Sequence, residues 1–214
     1  MGILLEQLIS DGYLKTSQII ESFKKIKRAD FVSRDLLKEK GEDFIENYNA
    51  PLSIGYSQTI SQPLTVAFML ELLQPKKGDK ILDIGSGSGW QTALLAEIVG
   101  AEGKVFAIEI IPELKQFGEN NVSKYNFISK SRVEFFCGDG SRGLASEAPF
   151  DKIIAAASVD KLPESWKDQL KINGRLVSPV GNDVFLFIRK KKDVFEKYKY
   201  SGFSFVPLVK KYNV

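Results

Sequence analysis

The stretch Ile81 to Gln91 reads ILDIGSGSGWQ, a short apolar run that breaks into three glycines spaced two apart and then enters a helix-forming segment. Ile81, Leu82 and Ile84 have the composition of a strand buried on both faces, and Asp83 lies near its carboxyl end, where open α/β sheets bind ligands. Gly85, Gly87 and Gly89 can adopt backbone conformations closed to other residues and, lacking Cβ atoms, let a ligand approach the main chain. Ser86 and Ser88 add small hydroxyls without filling the space. A helix expected from about Trp90 to Val99 would aim free N–H groups at the bound molecule. A tight surface turn has the same composition, so the surroundings must decide.

A second apolar run, Val105 to Ile108, ends at Glu109. An acidic residue about twenty positions beyond a glycine turn, at the tip of the next strand, is the usual acceptor for ribose hydroxyls. Nicotinamide dinucleotide and S-adenosyl-L-methionine sites both use this unit. The dinucleotide fingerprint needs a small third residue for close packing, and counting from Gly85 that position is Trp90, which argues against it. The G-x-G-x-G spacing instead resembles motif I of class I methyltransferases. Cys137-Gly138-Asp139-Gly140, after the apolar run Val133 to Phe136, resembles the place where these methyltransferases set an acidic residue near adenine, which would be Asp139, although a simple turn uses the same residues.

The chain has 214 residues, 43% hydrophobic, enough for one substantial core. No apolar stretch approaches ~20 residues, and the start, MGILLEQLISDG, has no basic region before its apolar residues, so a soluble, cytoplasmic protein without membrane association is expected. A monomer is expected as well, although neither feature bears on oligomeric state. The opening Met-Gly is followed at position six by Glu6, where lipidation expects Ser or Thr. The single cysteine, Cys137, excludes an intrachain disulfide. The absence of histidine removes the commonest metal ligand and general base, so no metal is expected and any chemistry must proceed without imidazole. Net charge is only +3, yet Arg189 to Lys211 holds eight basic residues against Asp193 and Glu196. Such a run could attract an anionic partner or protect a solvated edge strand. Without aromatic interleaving or zinc spacing, nucleic acid is not an expected partner.

Leu4 to Leu14 and Thr16 to Ile26 have helical apolar spacing, and another short element begins at Ala29. Asn47 to Gln62 reads as an ordered loop, followed by a helix from Pro63 to Leu73. Beyond Lys80 the pattern predicts strands near 80–84, 104–108, 132–136, 151–156 and 175–180, with helices near 90–99, 112–125 and 163–171. This alternation implies an α/β fold with a mostly parallel, doubly wound sheet. The apolar runs Val184 to Ile188 and Phe203 to Val209 are expected to pair antiparallel at its edge. The organisation expected is one domain, residues 1–60 forming a helical region with a substrate loop and 61–214 the cofactor-binding core.

The chain closely resembles the protein-L-isoaspartate (D-aspartate) O-methyltransferases. The resemblance rests on PLSIGYSQTISQP at Pro51, ILDIGSGSGWQTALLA at Ile81, IEIIPEL at Ile108, GDGSRG at Gly138, APFDKII at Ala148, LKINGRLVSPVG at Leu170 and FSFVPLV at Phe203. ADFVSRDL at Ala29 looks like the family's early R-x-x-F-V-P segment. The glycine motif is shared by all class I methyltransferases, whereas IGYSQTIS with the terminal FVPL is specific. The resemblance implies a seven-stranded Rossmann-like sheet and transfer of the methyl of S-adenosyl-L-methionine to the α-carboxylate of isoaspartyl residues in peptides and proteins, which starts their repair. It places Gln58, Thr59 and Ile60 over the cofactor, with further cofactor contacts from Asp83, Gly85, Ser86, Gly87, Gly89, Glu109, Ile110, Gly138 and Asp139. Ser61 stands at the active-site serine, and Ile54, Thr59, Ser61 and Ala157 are the substrate-side residues.

This chemistry suits a chain without histidine, because a carboxylate with a pKa near ~4 is already ionised at neutral pH. The site must align it and exclude water. Ser61 could orient it by donating a hydrogen bond, or could cap the helix beginning near Pro63. Where the family commonly reads A-A-x-P-E-I-P, this chain has Val159 in place of the proline and Asp160, a negative charge close to the expected anionic substrate. That departure keeps two alternatives in view: another acceptor on the same scaffold, or an inactive cofactor-binding module.

Overall fold

The computed structural model describes residues 2–210. Met1 of the opening dipeptide and Lys211 of the basic run lie outside the described residues. The amino-terminal region contains α1 (Ile3–Ser10), α2 (Ser17–Lys25), a 3-10 turn (Arg28–Phe31), α3 (Arg34–Lys40) and α4 (Glu42–Asn47). Ser33 caps α3 by accepting from the Leu36 N–H at 3.2 Å. A small antiparallel hairpin follows, β1 (Leu52–Gly55) and β2 (Gln58–Ile60), then α5 (Pro63–Leu73) with its proline in the first turn.

The α/β unit comprises β3 (Lys80–Ile84), α6 (Trp90–Val99), β4 (Lys104–Glu109), α7 (Pro112–Ser123), β5 (Val133–Cys137), β6 (Phe150–Ala155), α8 (Glu164–Asp168), β7 (Leu170–Val180), β8 (Asp183–Lys191) and β9 (Val194–Ser201). The seven strands lie in the order β5-β4-β3-β6-β7-β8-β9, parallel from β5 to β7 and antiparallel across β7/β8 and β8/β9. From β3 the chain winds outward to β5 and then returns to the opposite side of β3. This reversal opens a crevice at the carboxyl ends of β3 and its neighbours.

Alternation along each strand divides the core. Ile81, Val105 and Ala107 face one apolar cluster, while Leu82, Phe106 and Ile108 face another across the sheet. The first cluster also contains Leu4, Leu8, Ile19 and Phe31, so the amino-terminal helices are packed into the core of the sheet.

The edge differs from the sequence expectation. β8 pairs with Val194–Ser201, the charged segment itself, and Phe203 to Val209 forms no strand. Pro207 cannot donate to a ladder, whereas Val194, Phe195, Tyr198 and Tyr200 are good strand formers. The lysines there are edge residues: Lys197 Nζ lies 4.3 Å from the Phe185 ring centroid, and Lys199 pairs with Asp183 at 2.9 Å. The helix expected over 163–171 is confined to Glu164–Asp168, because Leu170 already opens β7. The expected loop Asn47 to Gln62 contains the β1–β2 hairpin, whose strands are too short to register as periodic runs.

The crossing of α7 over the loop after β3 is set by two glycines. A Cβ on Gly89, which has φ +85°, would lie 2.8 Å from the Gly118 carbonyl, and a Cβ on Gly118 would lie 2.7 Å from the Gly87 carbonyl. Alanine in place of a mid-helix glycine ordinarily stabilises by ~1 kcal/mol. Gly118→Ala should do the reverse, lowering the urea-unfolding free energy by ~1–3 kcal/mol, because the contact it invades is backbone. A stabilised Gly118→Ala protein would contradict this packing.

Candidate active site

A cavity of about 340 Å³ occupies the crevice. Its floor is the loop Gly85–Ser88 after β3, Glu109–Ile111 after β4, Gly138 and Gly140 after β5, and Ala156–Ala157 after β6. Ile54 and Gln58–Ser61 reach it from the hairpin, Thr65 and Val66 from α5, and Ser204–Val209 from the terminal segment.

The glycine loop is fixed by hydrogen bonds from its own backbone. The N–H groups of Gly85 and Ser86 donate to the Ile108 carbonyl at 2.8 and 3.1 Å, turning the chain off the end of β3. Gly87, at φ +50°, donates to Glu109 Oε2 at 2.9 Å, and Ile111 N–H donates to Oε1 at 3.0 Å. Glu109 therefore ties the loop to the tip of β4 while keeping lone pairs free for another donor. Burial raises its pKa, opposed by the N–H groups of Ile111 and Gly87.

Asp83 lies behind the cavity. Fully buried, it accepts from Gln91 Nε2 at 2.7 Å and Thr92 Oγ1 at 2.6 Å, fastening the first turn of α6 to β3. Burial pushes its pKa up to about 6, against the opposing hydrogen bonds of Thr92 and Gln91 and with a further upward contribution from the Glu109 charge. Gly89 also stands back from the cavity and supplies the close contact with α7. That contact is the packing which the dinucleotide pattern assigns to its third small residue, so Trp90 is free to line the cavity instead. Asp139 is not in the lining: its Oδ1 accepts from Ser141 N–H at 2.9 Å and caps a 3-10 turn, while flanking Gly138 and Gly140 face the cavity.

Ser61 lines the cavity and does not cap α5. Gln62 is the residue at the cap position, and the Leu64 N–H is satisfied by Asn49 Oδ1 at 3.1 Å. Ile54 packs near the loop, its Cδ1 3.3 Å from where a Cβ on Gly87 would stand. Ala157 lines the cavity, but the two departures beyond it do not. Val159 is buried in the second core cluster, and Asp160 is exposed to solvent.

The terminal segment is not among the residues expected at the site, yet Ser204 to Val209 line the cavity. It is laid against the loop after β6 by Ser158 N–H to the Val206 carbonyl at 2.8 Å and Leu208 N–H to the Ser158 carbonyl at 2.7 Å. The available signal was an apolar run interrupted by Pro207 just after Gly202, which is poor strand material. Thr65, Trp90 and Gln91 are further lining residues that no spacing indicated.

The cavity has a definite chemical character. Among the described residues no Lys or Arg lines it, while Glu109 does and Asp83 lies behind it. A pyrophosphate would find no cation here, whereas a cationic ligand bearing hydroxyls would find acceptors. Ser86 Oγ and Trp90 Nε1 are buried without a protein partner, leaving polar groups for a ligand.

Residues 2–213 match the family model for protein-L-isoaspartate(D-aspartate) O-methyltransferase. The chain is 38% identical over 210 residues to the protein-L-isoaspartate O-methyltransferase of Methanopyrus kandleri, covering 96% of this chain and 89% of that one. It is 40% identical over 194 residues to protein-L-isoaspartate O-methyltransferase 2 of Archaeoglobus fulgidus, covering 89% and 84%. Its fold matches the Plasmodium falciparum PCMT structure, in complex with S-adenosyl-L-homocysteine, with a TM-score of 0.84 at 23% identity over 97% of each chain. The chain belongs to the protein-L-isoaspartate(D-aspartate) O-methyltransferase family.

Proposed function

We propose that this protein transfers the methyl group of S-adenosyl-L-methionine to the α-carboxylate of L-isoaspartyl, or D-aspartyl, residues in damaged proteins and so starts their repair. One observation carries the reading. The loop pinned by Glu109 and the Ser61 end of the hairpin face the same cavity, in a chain of this family.

The lining fits the cofactor. Gly85, Ser86, Gly87, Glu109, Ile110 and Gly138 would hold S-adenosyl-L-methionine from below, with Gln58, Thr59 and Ile60 above. Glu109 would accept from the ribose hydroxyls, and the unpartnered Ser86 hydroxyl is a further polar contact. Asp83, Gly89 and Asp139 act from behind, shaping the loops. When bound, the cofactor supplies an electrophilic methyl on a sulfonium.

On the acceptor side, no base is required, since the substrate carboxylate is ionised at neutral pH. Ser61 donates a hydrogen bond that orients the carboxylate, with Thr59, Ile54 and Ala157 around it, and the terminal segment helps exclude water. A changed acceptor has lost its main motive, because Val159 is in the core and Asp160 is exposed and not among the lining residues. We also place the protein in the cytoplasm as a monomer without a nucleic-acid partner. Among the described residues no helix is long and apolar enough to cross a membrane.

The direct test incubates the protein with labelled S-adenosyl-L-methionine and paired peptides carrying isoaspartyl or aspartyl at one position. Base-labile methyl ester on the isoaspartyl peptide alone is expected, and transfer to neither would exclude the reading. Glu109→Ala should weaken S-adenosyl-L-homocysteine binding by ~1–3 kcal/mol, the value of lost hydrogen bonds to a charged group. Unchanged affinity by calorimetry would refute its role.

Asp83 gives a pH signature. Folded, it holds its proton up to about pH 6, while an unfolded aspartate releases it near pH ~4. Between those values the folded state binds more protons, so stability falls as pH rises through the window. Relative to Asp83→Asn, which does not titrate, the wild-type protein should lose about 2–3 kcal/mol of unfolding free energy from pH ~4 to pH ~7. A pH-independent difference in urea titrations would contradict the assignment.

A further inference from the structure

Arg28 is 1% exposed, yet among the described residues its guanidinium hydrogen bonds go to backbone carbonyls and not to a carboxylate. Four backbone carbonyls receive it instead. Nη1 donates to Ile45 at 3.2 Å and Tyr48 at 2.8 Å, while Nη2 donates to Ala50 at 2.8 Å and Ser61 at 3.1 Å. Nearby Glu46 is engaged elsewhere, accepting from the Ala29 N–H at 2.8 Å. Burial lowers the Arg28 pKa to about 10, which leaves it charged at neutral pH.

Ala50 and Ser61 are the two roots of the hairpin that bounds the cavity. Leu52 pairs with Ile60 just inside them, and the register is already irregular between Ser53 and Gly55. At the tip, Tyr56 and Ser57 both have positive φ, +54° and +55°, which side-chain-bearing residues disfavour. A two-stranded hairpin this short is marginal by itself. Its place over the cavity therefore depends on how its roots are held, and one guanidinium nitrogen, Nη2, holds both while Nη1 is anchored on Ile45 and Tyr48. The guanidinium carbon also lies 5.5 Å from the ring centroid of Trp90, which lines the cavity.

We infer that Arg28 is a positioning residue for methyl transfer: by gripping the carbonyls of Ala50 and Ser61 together, it sets the hairpin over the cofactor cavity and aims the Ser61 hydroxyl at the acceptor carboxylate. Lysine cannot substitute, because its one ammonium has three donors for four carbonyls and cannot hold Ala50 and Ser61 while staying anchored on Ile45 and Tyr48. The inference rests on the orienting role proposed for Ser61.

The test is a double-mutant cycle on kcat, at saturating S-adenosyl-L-methionine and isoaspartyl peptide and well below the melting temperature. Arg28→Lys and Ser61→Ala should each lower kcat by about tenfold or more, and the double variant should be no slower than Ser61→Ala, since without the hydroxyl there is nothing left to aim. Effects that multiply would overturn the inference and reduce Arg28 to a packing residue. A wild-type kcat for Ser61→Ala would instead remove the role of Ser61, and the inference with it. If Arg28→Lys does not fold, Arg28→Gly supplied with ethylguanidinium replaces it. Rescue of transfer supports the clamp, whereas recovery of folding without transfer, or no recovery at all, counts against it.

Discussion

The carboxylate of Glu109 accepts one N–H from Gly87 and one from Ile111, and the geometry of the site follows from that pair of bonds. It closes the glycine loop against the tip of β4, where three positive-φ glycines would otherwise leave the backbone free to wander. The loop in turn accepts α7, whose Gly118 comes close enough to the Gly87 carbonyl to leave no room for a methyl group. Sheet, loop and helix are thereby locked in one arrangement by a residue that also faces the cavity.

The arrangement has an electrostatic cost. Glu109 and Asp83 are both buried acids, each with a raised pKa, and no cation lines the cavity among the described residues. Buried charge without a counterion is tolerated where hydrogen bonds or a bound partner compensate it. Backbone N–H groups do so for Glu109, and Thr92 and Gln91 for Asp83. A cationic cofactor would complete the compensation, and its charge would also favour the approach of an anionic acceptor that meets no lysine or arginine in the lining. On the proposed function, substrate orientation would then fall to neutral donors such as Ser61, which would make their placement, and hence the hairpin roots, matter.

The parallel strands were legible because a residue pattern of period two, or an unbroken apolar run, follows directly from burial on one or both faces. Glu109 was legible through its distance from the glycines. Asp83 is legible as an acid at a strand end, but its partners are not: it holds α6 through Gln91 and Thr92 and lies outside the cavity lining. Trp90 argued against a dinucleotide by its size, but the packing it cannot perform is done by Gly89, so it is the lining without lysine or arginine, among the described residues, that disfavours a pyrophosphate. Phe203 to Val209 was read as a strand because its apolar content outweighed the veto of Pro207. Arg28 falls on the arginine of the R-x-x-F-V-P resemblance, but its role was not legible, since its partners are backbone carbonyls scattered from Ile45 to Ser61, and a backbone carbonyl leaves no mark in a sequence.

The central claim, that one cavity joins a Glu109-pinned cofactor loop to an acceptor site built on Ser61, is tested most directly by a crystal structure with S-adenosyl-L-homocysteine and an isoaspartyl peptide together. The account predicts the ribose hydroxyls on Glu109 and the α-carboxylate of the isoaspartyl residue within hydrogen-bond reach of Ser61 Oγ. A ribose held elsewhere, or a carboxylate bound away from Ser61, would contradict it.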